Sequence, residues 1–127
     1  MDSVLFFLSF AEPRLPITVK LGTHPFMDIQ DLTQEMHRFV RSQGWDEAGS
    51  PRPQTLRNLA ISLSLEAGEV LEHFQWGEQD PDQQALGDEL ADVALYLLQI
   101  ASVAQIDLEQ AILDKLARNY TRRWEKD

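Results

Sequence analysis

Two pairs of acids, Glu66 with Glu69 and Glu89 with Asp92, lie inside long apolar segments, and their placement restricts the fold more than any other feature of the chain. Ionised carboxylates in such surroundings are costly unless something cationic meets them. Three residues along a helix return side chains to nearly the same face, so each pair forms a two-pronged clamp. If the two helices pack side by side, four carboxylates converge. A cluster of that kind cannot stay fully ionised without cations, and hard divalent ions such as Mg2+ take oxygen ligands of this sort. The acids therefore predict a Mg2+-dependent enzyme acting on a phosphorylated substrate, with Mn2+ as a candidate substitute metal.

The rest of the chain supports an all-α fold of four helices. Ile29, Leu32, Met36, Phe39 and Val40 recur at steps of three and four, which reads as an amphipathic helix from Asp28 to about Gln43, with Gly44 as its stop. The stretch from Trp45 to Pro53 is rich in glycine, proline and polar residues and reads as a loop. A second helix is expected from about Gln54 to Gln75, with a core stripe through Leu56, Leu59, Leu63, Val70, Leu71 and Phe74. Asp80-Pro81 marks the start of a third, through Leu86, Leu90, Val93, Ala94, Leu97 and Ala101 to about Ala104. This helix is apolar on more than one side, as expected of an element central to a core or buried between subunits. Asp107 with Gln110 resembles a capping box and opens a fourth helix to about Trp124. Short connections favour antiparallel neighbours. Residues 1–26 carry Pro13, Pro16 and Pro25 without helical period, and are expected to be a tail or extension preceding a domain over 27–127.

Composition excludes several classes. A net charge of −10 argues against binding a nucleic acid polymer, which needs clustered Lys and Arg. The absence of cysteine removes disulfides, thiolate zinc sites and cysteine nucleophiles, and suits a cytoplasmic protein. No stretch approaches the roughly 20 apolar residues that span a bilayer. The apolar run Val4–Phe10 follows Asp2 and no Lys or Arg, so neither export nor a membrane partner is expected.

Carboxylate-bridged di-iron bundles also draw acids from several helices, but need Glu three residues before His. The residues three before His24, His37 and His73 are Leu21, Gln34 and Val70. Zinc hydrolysis is disfavoured in the same way, because its usual histidine and thiolate ligands are missing. Lys115, Asn119 and Arg122 share one helix face, which fits a clamp for a triphosphate or a solvated basic helix end. Trp45 fits either a lid over a ligand or a plug for the core. The bland alternative for the whole chain is a non-catalytic acidic helical module that binds a partner protein.

The spacing Glu66-x-x-Glu69 with Glu89-x-x-Asp92, joined by Phe39-x5-Trp45, Arg57-Asn58-Leu59, Phe74-Gln75-Trp76, Asp92-Val93 with Tyr96, and Lys115-x3-Asn119-x2-Arg122, resembles the all-α nucleoside triphosphate pyrophosphohydrolases of the MazG-like superfamily. It is most similar to the dCTP pyrophosphatase branch, over Asp28 to about Arg123. The resemblance implies hydrolysis of nucleoside triphosphates, dCTP or modified and non-canonical dNTPs, to monophosphate and pyrophosphate in nucleotide-pool house-cleaning. It implies Mg2+ on the catalytic acids Glu66, Glu69, Glu89 and Asp92, and phosphate contacts from Lys115, Asn119 and Arg122. Trp45 and Trp76 would wall the base and sugar, with Asn58 and Tyr96 beside them. It further implies a four-helix MazG-like bundle assembled as a homodimer or homotetramer, with the pocket shared between subunits.

Overall fold

The structure, a computed structural model, describes residues 26–77 and 79–123. The N-terminal extension other than Phe26, the expected helix end at Trp124 and the basic Lys126 lie outside the described residues. Four helices and no strand occur among the described residues: α1 (Ile29–Ser42), α2 (Leu56–Glu72), α3 (Gln83–Val103) and α4 (Leu108–Thr121). No single helix among them is long and apolar enough to cross a membrane.

Each helix begins at a side-chain cap. Asp28 and Asp31 form a reciprocal capping box on α1, and Thr55 accepts from the Asn58 backbone N–H on α2. The α3 cap is Asp82, which accepts from Ala85 N at 3.1 Å. It lies two residues past the Asp80 expected from sequence, so Pro81 precedes the helix and does not occupy its first turn. Asp107 caps α4 as expected, but the Gln110 amide donates to Asp114 Oδ1 at 2.7 Å, so the box is half-formed.

Helix ends are equally specific. Trp45 N donates to Val40 O and Gly44 N to Arg41 O, a Schellman pair closed by Gly44 at φ +66°. The same pattern ends α3, with Ile106 N on Ala101 O and Gln105 N on Ser102 O. There the left-handed position is held by Gln105, at φ 56°. The chain bends by 105° between α3 and α4, so the antiparallel arrangement expected for this pair is not formed. α2 ends at Glu72, short of the expected Gln75, and continues through turn bonds from Phe74 N to Leu71 O and Gln75 N to Glu72 O.

α3 is the central element and packs against α2 and α1. The core cluster consists of Met36, Val40, Leu59, Tyr96 and Leu98, with Phe39, Trp45 and Leu63 packed on it. None of the residues of α4 is buried. The apolar stripe expected to seat α3 is partly outside: Leu90 is 52% and Leu97 42% exposed. The residues turned inward are Asp92, Tyr96, Leu98, Gln99 and Ala101, of which only Ala101 belongs to that stripe.

Candidate metal centre and adjoining cavity

The inward faces of α2 and α3 run past each other as two rows. On α2, Ser62, Glu66, Glu69 and His73 follow at steps of four, three and four; on α3, Glu89, Asp92, Tyr96 and Gln99 follow at three, four and three. These intervals keep each row on one helix face. The rows pair in opposite directions: Ser62 hydrogen-bonds Tyr96, Glu66 meets Asp92, Glu69 meets Glu89, and His73 Nε2 lies 3.8 Å from Glu89 Oε1. The convergence expected from sequence is formed by this antiparallel pairing.

Glu66, Glu89 and Asp92 each place a carboxylate oxygen within 4.8 Å of the others. Glu69 is not part of that tightest group, but it stands next to both Glu66 and Glu89 and interacts with each. Glu66 is 3% and Asp92 6% exposed, and no Lys or Arg forms an ion pair with either acid among the described residues. Burial first, and then the charges of Glu69, Asp92 and Glu89, push the Glu66 carboxyl up to about 7. Burial, then Glu89 and Asp88, raise Asp92 to about 6. Glu69 is raised by burial and by its contact with Glu89.

The donor set fits a hard divalent cation. All ligand atoms are carboxylate oxygens, and Asp92 Oδ1 is buried without a hydrogen-bond partner. A buried acceptor left unpaired is costly, and oxygen donors of this kind suit Mg2+. A cation at this point would supply the missing partner and relieve the mutual repulsion of the acids.

One turn along the same rows, Ser62 and Tyr96 form the boundary between the acids and a cavity of about 330 Å³. Trp45, Arg52, Gln54 and Asn58 line its other walls. Trp45 packs on the core, meeting Phe39 edge-on at 5.5 Å, and also lines the cavity. Burial raises the Tyr96 phenol to about 12, so it stays a neutral hydroxyl near the acids. Asn58 Nδ2 donates to Pro53 O at 3.0 Å and thereby braces the loop.

Three sequence candidates for the substrate pocket, Trp45, Asn58 and Tyr96, thus share one cavity. Trp76, 89% exposed, and Lys115, Asn119 and Arg122 on or beside α4 line neither that cavity nor the carboxylate cluster. Arg52 and Gln54 were not legible as site residues, because their loop has no period and their positions depend on tertiary contacts.

The chain is thus an all-helical domain that buries a carboxylate cluster fit for a divalent cation beside an aromatic and amide-lined cavity. The model of the MazG-like family matches residues 61–127, and the chain belongs to that family. Among its relatives, dCTP pyrophosphatase 1 of Homo sapiens is 33% identical over 107 residues, covering 77% of this chain and 60% of the relative. Its Mus musculus counterpart is 32% identical with the same coverage. The chain therefore spans 60% of the length of these curated relatives. A pyrophosphatase crystal structure from Archaeoglobus fulgidus matches with a TM-score of 0.65 and 29% identity, over 80% of this chain and 97% of that one.

Proposed function

We propose that residues 27–127 form a Mg2+-dependent nucleoside triphosphate pyrophosphohydrolase that releases monophosphate and pyrophosphate. Its substrates are dCTP or modified and non-canonical deoxynucleotides, and its setting is house-cleaning of the cytoplasmic nucleotide pool. The observation that carries this reading is the buried acid cluster, with its orphaned Asp92 oxygen, set one helical turn from a cavity of base-binding character. Glu66, Glu89 and Asp92 would hold the metal, with Glu69 bridging between them. When bound, Mg2+ supplies neutralisation of phosphate charge and a more acidic water. Trp45 offers a stacking surface, while Asn58 and Tyr96 offer polar groups to the base and sugar.

The working form is a homodimer or homotetramer. α4 buries none of its residues and exposes Ile112, Leu113 and Leu116, which suits coverage by a second copy. Such a copy is the means by which Lys115, Asn119 and Arg122 would reach the phosphate chain. Residues 1–26 have no assigned part in this chemistry. The burial of Glu66 and Asp92 favours this reading over a protein-interaction module with solvated acids.

A panel of deoxy- and ribonucleoside triphosphates, each with and without Mg2+ or Mn2+, tests the proposal. Metal-dependent pyrophosphate release is expected. Orthophosphate release, or no turnover of any nucleotide, would remove it.

A further inference from the structure

Arg52 is the only cation among the described residues that line the cavity. Its guanidinium carbon lies 5.5 Å from the centroid of the Trp45 ring, within cation–π range. Its charge also reaches Tyr96, at the boundary with the acids. Pro51 and Pro53 flank it and fix φ on either side.

The backbone around Arg52 is held by a polar relay from the helical core. Gln99 Nε2 donates to Gln54 Oε1 at 2.6 Å, and Gln54 Nε2 donates to the Arg52 carbonyl at 2.7 Å. Ser50 Oγ accepts from Arg52 N at 3.1 Å. Gln99 is 2% exposed and stands three residues past Tyr96, on the row that carries the acids. Its Oε1 is buried without a partner. An apolar side chain would fill that space without burying the unpaired Oε1 of Gln99, so packing alone does not account for an amide there. The bond to Gln54 does account for it.

We propose that Arg52 contacts the bound nucleotide and that Gln99, acting through Gln54, is the residue that positions Arg52 for that contact. The inference rests on the nucleotide reading above and concerns affinity, not the chemical step. A guanidinium donates hydrogen bonds and accepts none. Its partner on the ligand is therefore an oxygen or ring-nitrogen acceptor, on the phosphates or on the base.

The test uses the full chain with Mg2+ and titrates the four α,β-imido deoxynucleoside triphosphates by calorimetry, taking the tightest binder forward with its nucleoside and with tripolyphosphate. Wild type, Arg52→Ala, Gln99→Leu and the double variant are compared, with the Tm of each. Each single change is expected to weaken the analogue roughly tenfold, and the double variant by no more than either, because both remove one contact. Gln99→Leu is expected to keep or raise Tm. Parallel weakening of the nucleoside assigns the acceptor to the base, and of tripolyphosphate to the phosphates; both outcomes support the inference. Unchanged affinity in either single variant, multiplied effects in the double, or a Tm loss in Gln99→Leu without loss of affinity would overturn it. Pyrophosphate release by the wild type is read on the same preparation. Turnover with unaltered affinities overturns this inference alone, binding without turnover removes the functional reading alone, and no binding overturns both.

Discussion

Replacing Glu66 by glutamine should stabilise the metal-free protein, although Glu66 is proposed as a metal ligand. Its carboxyl is raised from 4.5 to about 7, chiefly by burial and then by Glu69, Asp92 and Glu89. Between those two values the folded protein keeps the proton that the unfolded chain has released. Stability therefore falls as pH rises through this window, and levels off above it. At 1.36 kcal/mol per pH unit, the ionised group costs the fold about 3 kcal/mol at pH 8 and under about 1 kcal/mol at pH 5. The neutral glutamine avoids this cost. In EDTA at pH 8, Glu66→Gln should melt on the order of 10 °C above wild type, and the gap should shrink severalfold at pH 5. Asp92, raised to about 6, acts with the same sign and remains in the variant.

Magnesium should remove the difference. A ligand of the folded state alone stabilises by about 2.7 kcal/mol at one hundred times its dissociation constant. That gain is comparable to the cost of ionising Glu66, so saturating Mg2+ should close the gap by raising wild type alone. Calorimetric or fluorescence melts across pH, with EDTA or Mg2+, measure both effects. An equal gap at pH 5 and pH 8, or a wild type more stable than the variant at pH 8 in EDTA, would refute the reasoning.

Four further outcomes are expected. Glu69→Gln should abolish pyrophosphate release while leaving the circular dichroism spectrum and oligomer size unchanged; retained turnover would remove Glu69 from the site. Leu59→Ala, at a position 2% exposed, should lower stability by about 2–5 kcal/mol in urea unfolding, and a loss below about 1 kcal/mol would mean Leu59 is not core. Gln105→Gly should raise stability by about 1 kcal/mol, since a side chain at φ 56° is strained and glycine is not. Leu116→Glu should yield smaller particles in light scattering and lose turnover; if α4 is solvent-facing in the working protein, the change should stay within about 0.5 kcal/mol and leave both untouched.

The helices were legible because the apolar residues of each segment recur at helical steps, and Gly44 was legible as a stop because a left-handed residue favours glycine. The α3 start was misplaced because acids flank Pro81 on both sides and either can cap a helix; the backbone N–H of Ala85 selects Asp82. The turn after α3 carried no signal, since Gln105 takes the position that glycine usually marks. The four acids were readable as a set from their spacing together with their position inside apolar segments. The loop residues Arg52 and Gln54 were not, because what places them is Gln99, far along the chain and buried on another helix.

The orientation of α3 links these results. Periodicity reports where the apolar residues of a helix lie, and the usual inference turns that face inward. In α3 the row Glu89, Asp92, Tyr96 and Gln99 faces α2, while Leu90 and Leu97 remain half exposed. A lone chain would gain by rotating that apolar stripe into its core. It would then lose the pairing of Glu66 with Asp92 and of Ser62 with Tyr96. The observed rotation is favourable where a cation compensates the inward acids and another surface covers the outward apolar residues. The metal binding and assembly proposed above are therefore expected to be coupled through the rotation of this helix, each supplying part of the stabilisation that the isolated chain forgoes.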